Sequence, residues 1–363
     1  MSAGNEVIFI ATIHRMSERI ICAINDLQKE FEVKIINFGQ ASFNTKYDSS
    51  LNYQNYVVDN FKESGIFNTS GVFSSSRHSH DKQSKELISI LGDIISNNTV
   101  AIILDDSRDS LYSDDLYKIA KNKNITVFAN AHGNGSYYIP PKRIYDYLFC
   151  LGEYDKARYV SLGMDSARLL CGGIPANDSL KDCVRTNEYI LVLTNFIFDG
   201  CSHVPFSFDV LHKMKIIELQ QKLGSRVLFK LKHRMQCDRQ KELDIIHKSF
   251  SGFDLIYDVV HNVESENSLV SGASCVLTYG STMALKPIQL NIPTVIFKEC
   301  GSLGCFEDYL GTIGLEESYE YVFEEGFMKT QRINFLSRVL AGSDYFMSTS
   351  LYLNKFQLNI GAI

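Results

Sequence analysis

Short apolar runs alternating with longer amphipathic stretches constrain this chain's fold more than any other feature. Runs at residues 6–11, 33–38, 100–104 (VAIIL), 125–129 (ITVFA), 147–152 (YLFCLG) and 168–173 (RLLCGG) have strand length. Residues 17–30, 82–96, 111–122 and 153–162 have the length and polarity of helices, and 40–80, rich in Ser, Asn and Tyr, reads as a long loop with one helix. After a polar stretch at 177–188 the pattern restarts. It gives strands at 189–193, 226–232, 253–257, 273–279 and 292–297, helices near 207–223 and 239–250, and a helix opening at Ser281. Such alternation predicts βαβ units and parallel sheets.

A chain of 363 residues has room for two domains of ordinary size. The restart at Tyr189 predicts two Rossmann-like, doubly wound α/β domains, residues 1–175 and 176–363, with the crossing between 174 and 188. Doubly wound sheets bind ligands beyond the carboxyl ends of their strands, and two facing domains make a cleft between them. The residues of interest should therefore follow strands.

Composition narrows the function classes. Hydrophobic residues make up 45% and charged residues 21%, which excludes a disordered or fibrous chain. The net charge of −6 argues against a nucleic-acid partner. The nine cysteines include no CxxC pair and several lie inside apolar runs, so they read as reduced thiols of a cytoplasmic protein. The amino terminus MSAGNEVIFIATIH lacks a basic region and reads as a first strand. No stretch has the roughly 18 apolar residues of a membrane helix. The expected location is the cytoplasm, compatible with peripheral attachment to the inner face of the membrane.

Six strand-end motifs carry the chemistry. Residues 147–180, YLFCLGEYDKARYVSLGMDSARLLCGGIPANDSL, run strand, helix, strand and then a Gly172-Gly173-Ile174-Pro175 turn followed by Asn177-Asp178. At Thr278-Tyr279-Gly280-Ser281-Thr282 a strand gives way through glycine to hydroxyl residues at a helix start. Backbone N–H groups and hydroxyls there suit an anion, although Ser281 also reads as a plain helix cap. Lys230-Leu231-Lys232-His233-Arg234 ends a strand in a cluster of cations suited to a diphosphate or a carboxylated sugar, or is simply a solvated strand end. Asn130-Ala131-His132-Gly133 places a histidine among small residues after a strand, where it can act as a base near neutral pH. Asp105-Asp106-Ser107 also follows a strand, with helix capping as the bland alternative. Thr194-Asn195 ends the second half's first strand, within reach of a donor.

The order and spacing of these motifs resemble GT-B glycosyltransferase-like proteins, near the capsule and teichoic-acid transferases and the bacterial sialyl- and Kdo-transferases. The 147–180 stretch is similar to the GNPRFD-like turn before the interdomain crossing, and Gly280-Ser281-Thr282 to a donor-phosphate motif. Lys230 to Arg234 matches in part a KxHP-like motif, with Arg234 in place of proline. His132 resembles the base of a CDP-glycerol glycerophosphotransferase turn. Asp106 resembles the aspartate of a sialyltransferase motif, with Ser107 where that motif has glycine.

The resemblance implies a GT-B-like pair of domains and an inverting glycosyltransferase that needs no metal or resident cofactor. Its co-substrate would be a nucleotide-activated sugar (CMP-, CDP- or UDP-linked), and its acceptor a hydroxyl of a surface glycan or glycolipid. His132 or Asp106 would be the base, with His132 preferred for the glycines that follow it. His233, Lys230, Arg234, Gly280, Ser281, Thr282 and Asn195 would hold the donor. The same resemblance admits a CDP-glycerol-type glycerophosphotransferase, a sugar-nucleotide 2-epimerase or a non-catalytic nucleotide-binding module. A 2-epimerase would carry a His/Glu-rich turn where this chain has NAHGNGS. No GxxxxGK[ST], GxGxxG or GxSxG is present, so P-loop, dinucleotide-binding and α/β-hydrolase readings lack their signature loops.

Overall fold

A computed structural model of the chain describes residues 5–11, 14–37, 53–54, 89, 92–105, 113–131, 144–194, 208–231, 236–261, 265–278, 282–297, 320–338 and 348–360. Strands β1 (Glu6–Ala11), β2 (Glu32–Asn37), β3 (Tyr53–Gln54), β4 (Thr99–Leu104), β5 (Thr126–Asn130), β6 (Tyr147–Cys150) and β7 (Leu169–Cys171) form one sheet. Its order is β3-β2-β1-β4-β5-β6-β7, with every pairing parallel. Strands β8 (Tyr189–Leu193), β9 (Arg226–Lys230), β10 (Tyr257–Val260), β11 (Ala273–Thr278) and β12 (Thr294–Ile296) form a second parallel sheet, ordered β10-β9-β8-β11-β12. The expected pair of parallel α/β domains is therefore present, and both have the doubly wound strand order of a GT-B-like fold. In each sheet the order reverses beside the first strand, between β1 and β4 and between β8 and β11. Those are the switch points at which such sheets bind ligands.

The chain divides into one unit of Met1–Asp178 with Met347–Ile363 and another of Ser179–Phe346. The crossing falls inside the expected window. The carboxyl-terminal segment, expected in the second domain, returns instead to the first. The reason is its aromatic face. Tyr352 and Phe356 lie one helical turn apart on the helix Ser348–Asn359 and are 1% and 0% exposed. Tyr352 stacks on Phe149 with ring centroids 3.9 Å apart, and Phe356 packs 4.7 Å from Phe128. Both partners are side chains of the first sheet. Asp178 caps the helix: Oδ1 accepts from the Ser348 N–H at 3.0 Å and Oδ2 from the Thr349 N–H at 2.7 Å.

Local differences from the sequence reading have local causes. The helix expected over 207–223 is two helices, Phe208–Lys213 and Ile216–Leu223, because Lys215 takes a left-handed conformation at φ 50°. That break buries both Met214 and Ile216. The strand expected at 253–257 is displaced to Tyr257–Val260, where it pairs with β9. The helix expected to open at Ser281 instead begins as a 3-10 turn, Thr282–Ala284, and becomes α-helical only over Leu285–Gln289. The 40–80 loop lies outside the described residues except for Tyr53–Gln54, which pairs with β2 as an edge strand. Of the 82–96 helix only parts are described. Among the described residues no helix is long and apolar enough to cross a membrane.

The Gly172-Gly173 turn is the seat of the returning helix. A Cβ at Gly173, whose φ is +68°, would lie 2.4 Å from Ser348 Oγ and 2.8 Å from its Cβ. Gly173→Ala is therefore expected to destabilise the first unit by about 2 kcal/mol or more, through backbone strain and displaced packing. Asp178→Ala should cost about 1–2 kcal/mol through loss of the cap. Urea unfolding followed by near-ultraviolet circular dichroism measures both. Gly326→Ala, where an added Cβ meets nothing within 4 Å, is the neutral control.

Candidate functional site

Hydrogen-bonded register lines up the strand ends from which the candidate residues emerge. In the second unit Leu193 pairs with Lys230 on one side and Thr278 on the other. The segments that follow carry Asn195, then Lys232 to Arg234, then Gly280 to Thr282, and all leave from adjacent positions. Asn195, His233, Arg234, Gly280 and Ser281 themselves lie outside the described residues, and of Thr282 only the backbone is described. Lys230 is half-buried, and its Nζ donates to the Leu231 carbonyl at 3.3 Å. The α-helical N-cap after β11 is Ala284, with no side-chain capping bond. The five-residue helix it opens has only a small dipole to offer an anion.

A residue that sequence reasoning passed over, Glu242, meets Thr194 at this edge. Thr194, 4% exposed, holds the β9 end: its N–H and its hydroxyl both donate to the Lys230 carbonyl, at 3.0 and 2.9 Å. The same hydroxyl lies 3.3 Å from Oε1 of Glu242, a carboxyl that is 0% exposed. Glu242 lies on the helix Gln236–Phe250, where one acidic residue among several charged ones gives no signal in the sequence. Together they brace the base of the Lys232–Arg234 and Asn195 segments.

In the first unit Leu104 pairs with Ile10 and with Ala129, so Asp105 and Asn130 emerge side by side next to the switch point. The buried Asn130 side chain ties them together, its Nδ2 donating to the Leu104 carbonyl at 2.7 Å. Asp106 and His132 each begin a segment outside the described residues. Their described neighbours, Asp105 and Ala131, line a small, partly open cavity of about 20 Å³ together with Arg19, Asn130, Gly173 and Tyr352. His14 and Arg15 start the helix His14–Leu27, and Arg19 lies one turn further along it.

Behind the cavity, burial pushes the Asp155 carboxyl up to about 7, against the Leu151 N–H that it accepts at 3.3 Å and the charges of Arg19 and Arg158. Cys150 and Cys171 are register partners on β6 and β7 and are both free thiols. The Cys171 side chain and burial together raise Cys150 well above the usual thiol range, which makes it unreactive. Among the described residues no cluster of His, Cys, Asp or Glu is placed to hold a metal ion.

The two doubly wound units have a GT-B-like fold. Neither a family model nor a curated protein matches the sequence. Solved structures do match. A Listeria monocytogenes protein assigned as a UDP-N-acetylglucosamine 2-epimerase superposes with a TM-score of 0.67 at 11% identity, over 99% of this chain and 96% of that one. Staphylococcus aureus MnaA, solved with UDP, gives 0.63 at 11% identity over 98% and 97%. The UDP-GlcNAc 2-epimerase of Neisseria meningitidis, solved with UDP-GlcNAc, gives 0.62 at 12% over 98% and 100%. At these identities the likeness is one of fold. The shared fold is GT-B-like, and these neighbours are 2-epimerases rather than the capsule and teichoic-acid transferases that the motifs resembled.

Asp155 makes the stability of the first unit depend on pH. Its carboxyl keeps its proton in the fold up to about 7, whereas the unfolded chain releases it near the ordinary value of 3.8. The unfolded state therefore binds fewer protons between those values, so this group's stabilising contribution is full below about pH 4 and is lost as pH rises towards 7. Asp155→Asn should remove that slope, leaving the variant more stable than wild type at pH 8 by an amount on the order of 1–4 kcal/mol. The two should converge near pH 4, as urea melts across the range would show.

Proposed function

We propose that the protein binds a UDP-sugar and acts as a 2-epimerase on a UDP-N-acetylhexosamine. The observation that carries this reading is the end-to-end likeness to 2-epimerase structures, including one solved with UDP-GlcNAc over 98% of this chain. The switch-point geometry supports it: β8, β9 and β11 end in register, and the sequence that follows them carries an amide, cations and hydroxyls, the groups a diphosphate requires. Lys230, His233, Arg234, Asn195 and the Gly280-Ser281-Thr282 turn are the proposed phosphate and nucleotide contacts, and no metal is part of the proposal. Inverting C2 means removing its proton while the C1–O bond to UDP breaks and a C1=C2 double bond forms, then adding UDP back at C1 and a proton to the opposite face of C2, so a base is needed. His132 and Asp106, which leave adjacent strand ends of the first unit, are the candidates.

A second reading, inverting glycosyl transfer from the UDP-sugar to a glycan hydroxyl, rests on the NAHGNGS turn. A histidine followed by glycines suits removal of a proton from an incoming hydroxyl. Both readings use the same phosphate site and the same base, and differ in which proton the base removes.

One incubation separates them. With UDP-GlcNAc alone in deuterium oxide, a 2-epimerase yields UDP-ManNAc carrying deuterium at C2. A transferase leaves C2 unexchanged and releases UDP only when an acceptor glycan is added. Absence of both products in a protein that binds UDP would identify a binding module. His132→Ala is expected to lower turnover about 10²–10⁴-fold with an unchanged melting temperature. An active His132→Ala beside an inactive, folded Asp106→Asn would assign the base to Asp106. Ser281→Ala combined with His233→Ala should weaken UDP binding by about 1.5–3 kcal/mol, and unchanged affinity would place the phosphate elsewhere.

A further inference from the structure

The carboxyl ends of β8 and β9 are tied to a carboxyl group that water does not reach. Thr194, the first residue after β8, donates its N–H to the Lys230 carbonyl at 3.0 Å, which carries the ladder one residue past the strand. Its hydroxyl stands between two groups, the same carbonyl at 2.9 Å and Oε1 of Glu242 at 3.3 Å. A hydroxyl donates once and accepts besides, so this one links the carboxyl to the backbone of β9. Glu242 is 0% exposed. Ile246 and Phe250 follow it at four-residue spacing on the helix Gln236–Phe250 and share a core cluster with Val227 and Phe229 of β9. That packing holds the carboxyl against the strand.

Burying a carboxyl costs free energy that an apolar residue at the same place would not. The location says what is gained. The link is made at the carboxyl ends of β8 and β9, beside the switch point between β8 and β11, where such sheets take ligands. Asn195 follows Thr194 directly in the chain, and Lys230 owns the carbonyl that Thr194 holds. Both are among the phosphate contacts proposed above. One hydroxyl therefore fixes the backbone from which two of those contacts leave, and a ligand binds more tightly where its partners are ordered beforehand.

We propose that Glu242 is a positioning residue for the diphosphate of a UDP-sugar, acting through the Thr194 hydroxyl on the backbone that presents Lys230 and Asn195. This rests on the UDP-sugar reading above. Glu242 itself touches no ligand. Every residue of the link belongs to the second unit, so UDP alone is enough to test it.

The test is calorimetric titration of UDP into wild type and a set of variants, with the melting temperature of each. Thr194→Val keeps the shape and removes the hydroxyl, and its UDP affinity should fall about tenfold, the worth of one hydrogen bond. Thr194→Ser restores the hydroxyl and should bind as wild type does. Glu242→Met removes the hydrogen-bonding group and should weaken UDP by a similar factor, whereas Glu242→Gln, which can still bond the hydroxyl, should retain the affinity. Thr194→Val combined with Glu242→Met should bind no more weakly than either alone, because the effect of one passes through the other. Lowered melting temperatures with unchanged UDP affinity would show that the pair serves the fold alone, and would overturn the proposal. Equal affinities of Glu242→Met and Glu242→Gln would assign the effect to charge rather than to the hydrogen bond, and losses that add in the double variant would mean separate routes. Either result overturns it while leaving the UDP-sugar reading in place. No binding of UDP to wild type would remove that reading, and this inference with it.

Discussion

A parallel sheet has to be covered on both faces, and most of this structure follows from that constraint. Side chains alternate along each strand, so β1 sends Ile8 and Ile10 to one face of its sheet and Val7 and Phe9 to the other. β8 does the same with Ile190 and Val192 against Tyr189, Leu191 and Leu193. Crossover helices meet much of the demand. In the first unit they leave an aromatic strip over Phe128 and Phe149 that the carboxyl-terminal helix closes with Tyr352 and Phe356. That helix has to return from beyond the second unit, and the two glycines and the capping aspartate of the GGIPAND turn receive it.

Buried polar groups fall into two kinds. At the amino end of the first sheet, Glu6 is held by Lys34, by the Thr99 hydroxyl and by Ser96. Asp146 accepts from the Val127 N–H at 2.8 Å and the Tyr117 hydroxyl at 2.9 Å, and pairs with Lys121. These groups are satisfied, and they serve as scaffold. The other kind lies at either end: among the described residues the Tyr145 and Tyr352 hydroxyls make no hydrogen bond, and burial keeps the Asp155 carboxyl protonated to about 7.

Legibility in the sequence followed how local the deciding forces were. YILVL at 189–193 coincides with β8, and the helix and strands around 147–171 fall within a residue or two of expectation, because apolar period and glycine punctuation act over a few residues. The helix break at Lys215 was not legible, since nothing in HKMKIIEL marks a left-handed residue. It exists because burying Met214 and Ile216 together outweighs continuity of the helix. Nor was the pairing of Thr194 with Glu242 visible, because the two stand far apart in the chain and meet only when β8 and the helix after β9 pack.

The alternation of strand and helix segments, read from the sequence alone, determined the class of fold and the number of sheets. The strand-end motifs determined which segments belong at the carboxyl ends. Only the tertiary structure decided the strand order, and hence the switch points, because pairing partners are chosen by long-range packing rather than by any residue's own preference. It also decided where the last helix goes. The apolar content of residues 348–359 says that the helix must be buried, but the surface that buries it exists only once Phe128, Phe149, Gly172 and Gly173 have been brought together.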